Sequence, residues 1–150
     1  MKTILFFFAF ICSLSVFAEV TIGTNNNLSQ EDQKAVKYAV KRAANFYSWY
    51  LTFLTARDER PLKHVVIDQN TTIMFRKKVA ENTSANDLIL ASNDLDTNCS
   101  IVITPLKIEN GRILLKADVS GKYSYNFQIE MIKQRDCWCV DQVSENADLH

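Results

Sequence analysis

The residues with the widest chemical reach in this chain are its cysteines, Cys99, Cys137 and Cys139, with Cys12 near the start. Cys137 and Cys139 flank Trp138 in the stretch "KQRDCWCVDQV". Thiols at that spacing could hold a metal, form a redox pair or take part in a structural disulfide. A zinc site needs about four ligands, commonly with Cys-x2-Cys spacing. Cys-x-Cys with only His64 and His150 to complete it falls short of that set, so no metal is expected. Residues two apart on a strand share a face. If Trp138 fills the core, both neighbouring thiols therefore sit on the outer side of the sheet. An oxidising compartment favours a disulfide, and a bridge from Cys99 to Cys137 or Cys139 is the favoured solution. A disulfide needs Cα atoms within about 7 Å, whereas the strand order puts Cys99 at the far end of the sheet and two strands across. The segment around Cys99 would have to fold back. The other two solutions are a strained Cys137–Cys139 bond, easily reduced and the one route to redox chemistry, and a bridge between chains through Cys99.

Other candidates are weaker as chemistry. His64 lies beside Val65, Val66 and Ile67, the setting of a packed or surface histidine rather than of a base. No Gly-x-Ser-x-Gly turn, His-Glu-x-x-His helix or glycine-rich phosphate loop is present, and the chain holds only three glycines. Asp136 and Asp141 lie near predicted turns, where aspartate serves local hydrogen bonding. No catalytic residue and no cofactor is expected. Tyr47 and Tyr50, within "NFYSWYLTF", belong to a core stripe. Their hydroxyls could instead line a cavity between helix and sheet, as in a small-ligand carrier or a pocket enzyme. Asp94 and Asp96, in the polar segment 93–98, are the candidate contacts for a basic protein surface.

The elements that must position these residues follow from periodicity. Ser29 can cap a helix, with Asp32 at its third position. Val36, Val40, Ala43, Tyr47, Tyr50 and Leu54 then recur at alternating steps of four and three, widened by Ala39, Phe46 and Phe53. Pro61 ends the pattern. Residues 64–67 could form a short strand or a buried turn, and Thr71 or Thr72 could cap a second helix over 71–82. Leu88, Ile89 and Leu90 form an apolar knot in a loop-rich stretch. From Cys99 onward the period is two. Four strands are separated by Asn110-Gly111, "SGK" and "KQRD", and Pro105 places an edge or bulge in the first of them. Tyr123, Tyr125, Phe127, Ile129 and Met131 share one strand face. The fold class is α+β: N-terminal helices packed on a curved antiparallel meander, with Tyr47, Tyr50 and Phe53 against Tyr125, Phe127 and Trp138.

Residues 1–18 read as a secretory signal, with Lys2, an apolar run from Ile4 to Val16, and cleavage expected after Ala18. That run is shorter than the ~18–20 residues that span a bilayer. Removing 18 residues from the chain of 150 leaves 132, enough for one domain with a real core. Loss of Lys2 leaves 16 basic residues against 17 acidic ones, and the only dense basic run is Arg76-Lys77-Lys78. Nucleic-acid binding, which leaves a strong cationic footprint, is not expected.

The helix with "FYSWYL" (46–51), the loop with "DLILASND" (87–94) and the last strand "CWCVDQV" together resemble the nuclear-transport-factor-two-like, or cystatin-like, superfamily. More narrowly they resemble Gram-negative secreted proteins with a "FYxWYL" helix and a "W-x-[IV]-D" last strand, from which Cys139 departs at the spacer. The resemblance covers about residues 34–144 and implies a single domain over 19–150. The superfamily holds enzymes, carriers, binding modules and immunity proteins, so the fold leaves function open. What the resemblance implies most concretely is a non-enzymatic periplasmic protein (extracellular in a eukaryote) that neutralises a toxin or enzyme by binding it.

Overall fold

The computed structural model describes residues 16–17, 28–55, 69–84, 87–93 and 98–145. Most of the leader, the helix stop at Pro61, His64 and its apolar run, and Asp94 and Asp96 lie outside the described residues.

Helix α1 spans Gln30–Thr55. Ser29 caps it as its sequence requires: Ser29 Oγ accepts from the Asp32 amide at 3.1 Å and donates to Asp32 Oδ2 at 2.8 Å. Val36, Ala39, Val40, Ala43, Phe46, Tyr47 and Tyr50 are buried, and so is Leu51, while Phe53 and Leu54 are only half-buried. The difference from the expected stripe is geometric. Alternating steps of four and three average 3.5 residues, and a straight helix turns every ~3.6, so the buried face drifts along its length. Near the C-terminal end the drift brings Leu51 inward and turns Leu54 outward.

The sheet runs β1 (Val16–Phe17), β2 (Ser100–Glu109), β3 (Arg112–Ser120), β4 (Tyr125–Gln134) and β5 (Cys137–Glu145), in that spatial order. β2 to β5 form the antiparallel meander, and β1 pairs in parallel with β2 at Ile101 and Val102. The β2–β3 turn places Asn110 and Gly111 at φ 51° and 73°, the positive pair that Asn-Gly tolerates. The expected irregularity at Pro105 is a register shift between Pro105 and Lys107, which leaves Leu106 as the extra, exposed residue. A second shift, not signalled by any glycine or proline, pairs Glu130 with Gln142 and Met131 with Val140, so Asp141 is extra in β5.

The inner sheet face, which includes Ile103, Leu115, Phe127, Ile129, Met131 and Val140, packs on α1 in one core cluster. Trp138 joins it at 8% exposure. Tyr47 meets Phe127 with ring centroids 5.5 Å apart. Tyr50 and Phe53 also meet rings on their own helix, Phe46 and Trp49. Helix α2 spans Ile73–Ala80 and is capped by Thr72. It starts later than the expected 71 because Thr71 pairs with Val140 as a strand bridge. The fold is α+β, and no helix among the described residues is long and apolar enough to cross a membrane.

Candidate functional site

Tyr47 and Tyr50 turn out to be joined to the loop that follows α2. The Tyr47 hydroxyl donates to the Ile89 carbonyl at 3.0 Å, and the Tyr50 hydroxyl to Asp87 Oδ2 at 2.7 Å. Asp87 Oδ1 accepts from the amides of Ile89 and Leu90, at 2.8 and 3.1 Å, and backbone bonds with Ser92 close the turn. Asp87 therefore organises its own turn and offers its second oxygen to the helix. Burial first, and then the Asp87 charge, push both phenols well above their ordinary range. These hydroxyls are engaged with the protein itself. Their evident work is to hold Ile89 and Leu90 in the core and to fix where segment 93–98 begins. Asn93 and Asn98, its two shoulders, are both exposed.

The thiols need a correction. Cys99, Cys137 and Cys139 are thiols, and none is joined in a disulfide. Cys99 precedes the start of β2 at one end of the sheet and Cys137 starts β5 at the other, with β3 and β4 between. Cys99 is buried in the core cluster. Cys137 and Cys139 do share the outer face, opposite Gln134 and Ile132. That face is not bare there. Residues 69–72 form a strap along the edge of β5: the Thr72 amide donates to the Val140 carbonyl at 2.9 Å, and Cys139 Sγ lies 3.8 Å from the Gln69 carbonyl. Cys139 is consequently only 5% exposed. Burial raises its thiol, Cys137 adds to that, and Arg42 and Arg76 oppose it. A thiol held protonated is a poor nucleophile.

Two further clusters have no counterpart in the sequence reading. The extra residue Asp141 accepts from Thr72 Oγ1 at 2.8 Å and lies 3.6 Å from Arg112, which also pairs with Glu130. Beside the strap, Arg42, Arg76 and Arg135 line a pocket of about 440 Å³ together with Cys137 and Cys139. Arg76 belongs to the basic run read as a solvated helix face. The one signal that could have marked Arg135 is its place in the tight "QRD" turn, where an Asn or Gly would be usual.

No protein-family model matches the chain, and no curated protein sequence matches it. The fold is similar to that of a chain in the type VI native effector–immunity complex Tae3–Tai3 from Ralstonia pickettii. That likeness has a TM-score of 0.60 at 12% identity and covers 73% of this chain and 96% of that one. The SeMet form of the same complex gives 0.56 at 13% identity, covering 73% and 98%. At such identity the likeness is one of fold.

Proposed function

We propose that this protein is a periplasmic, non-enzymatic binding protein of the immunity type, which neutralises a toxin or enzyme by covering it. One observation carries the reading: the helix-and-meander fold matches nearly the whole of a chain from an effector–immunity complex. The same order of elements underlies the resemblance to nuclear-transport-factor-two-like proteins. The apolar leader at residues 1–18 supports export, where such a partner would be met. The contact segment in this reading is 93–98, with Asp94 and Asp96 facing a basic surface on the partner. Its mounting supports the role. The turn before it is tied to α1 through Tyr47 and Tyr50, and the residue after it, Cys99, is buried at the entry to β2. A loop held at both shoulders loses less freedom on binding.

The test is calorimetry against any toxin-like protein encoded beside this one, comparing wild type with D94N/D96N. The wild type should bind, and the double variant should bind at least about ten-fold more weakly, the scale of a lost interfacial charge contact. Equal affinity would remove this loop from the interface. A wild type that ignores the neighbouring toxin would remove the immunity reading.

A further inference from the structure

The pocket beside the strap gathers three guanidinium groups from three separate elements: Arg42 from α1, Arg76 from α2 and Arg135 from the β4–β5 turn. Its remaining described lining residues, Gln69, Gln134 and Ile73, bring amide donors and one apolar wall but no negative charge. Like charges lining one pocket repel, so the arrangement has to be held, and two of the three are held visibly. Arg42 Nη2 donates to the Gln69 carbonyl at 2.8 Å and Arg76 Nη1 to the Thr71 carbonyl at 2.9 Å, so one strap orients both planes. Arg42 Nε is buried and makes no hydrogen bond among the described residues. Arg135 sits at φ 57°. The equivalent turn between β2 and β3 meets that demand with Asn110-Gly111, whereas here a long charged residue occupies a left-handed position that favours Gly or Asn. Backbone strain of this kind is a pointer to use of the side chain.

We propose that this pocket is an oxyanion-binding site, for a carboxylate- or phosphate-type group carrying two or more negative charges. Planar guanidinium forks match such groups in charge and geometry. The Gln69 and Gln134 amides can complete the donor set, and the Cys139 thiol, held protonated by its burial, adds no competing charge. The anion could be a free small molecule or the acidic side chains of a partner, and the same chemistry serves both. The assignment stands on the pocket and does not depend on the immunity reading.

The experiment titrates inorganic phosphate, citrate and a tetra-aspartate peptide into the full chain, each against sodium chloride at matched ionic strength. Calorimetry reads binding, and peptide mass analysis reads the rate at which neutral iodoacetamide alkylates the half-buried Cys137. At least one probe should saturate and slow Cys137 alkylation. R135N should weaken that probe about ten-fold or more, the loss expected for a charge-assisted contact, while its unfolding midpoint stays level or rises because Asn suits the turn. Saturation by phosphate or citrate identifies a free anion, and saturation by the peptide alone identifies acidic side chains. Sodium chloride reproducing the effect, no probe saturating, or R135N binding as the wild type does would each overturn the assignment.

Discussion

Tyr50 and Tyr47 show how a residue read as core can carry a second duty. Their rings fill the space between helix and sheet, and their hydroxyls satisfy a carboxylate and a carbonyl that would otherwise be stranded beneath the loop. A phenol whose pKa is raised by folding holds its proton more tightly in the native state. Its contribution to stability is therefore complete below the ordinary phenol value of about 10 and is lost as pH climbs above it, by about 1.4 kcal/mol per unit for each such group. Urea unfolding between about pH 8 and 11 should show this alkaline loss. Y50F should flatten part of the slope while costing about 1.5–3 kcal/mol at neutral pH, the range for a hydrogen bond to a charged partner. A slope unchanged by both Y47F and Y50F would mean that neither phenol is buried as described. The aromatic run signalled burial plainly. What it could not signal was the partner, since Asp87 lies far along the chain and reads as one more polar loop residue.

Among the elements, the strap and α2 hold the edge of β5. Thr72 Oγ1 accepts from the Phe75 amide at 3.1 Å, as an N-cap does, and donates to Asp141 Oδ1 at 2.8 Å. One hydroxyl thus starts a helix and ties it to the bulge in the last strand. T72A should cost about 1–2 kcal/mol in urea unfolding, as for other lost caps, and T72S should recover most of that. The same variant should speed alkylation of Cys139, because the strap that covers the thiol would be loosened. A Cys139 that reacts no faster in T72A would show that the strap is held elsewhere. The sequence pattern offered Thr71 and Thr72 equally as caps. The choice falls to Thr72 because Thr71 is drawn into pairing with Val140, a contact between distant segments.

For the whole molecule, the secretory signal expected over residues 1–18 and the sheet lay claim to the same residues. Val16 and Phe17 pair with β2, yet cleavage after Ala18 would remove them and bare the β2 edge. That edge carries its own protection in Pro105, the adjoining bulge and Lys107, features that discourage strand addition. Protein recovered from the periplasm should begin at Glu19 by N-terminal sequencing, and it should still unfold cooperatively, since α1 and β2–β5 enclose a core of their own. A product that retains residues 16–17, or a processed chain that fails to fold, would make β1 part of the domain rather than of its leader.

Local pattern was enough to reveal the α+β class, the capped first helix, the strand alternation, the Asn-Gly turn and the break at Pro105. Each of these rests on forces acting within a few residues: periodic burial, backbone sterics and side chains that bond their own backbone. Other features emerged only when the chain closed on itself. They include the shift from Leu54 to Leu51, the cover over Cys139, the extra residue at Asp141 and the convergence of three arginines. Register, helix drift and the path of the strap decide which distant residues meet, and no local spacing records those contacts.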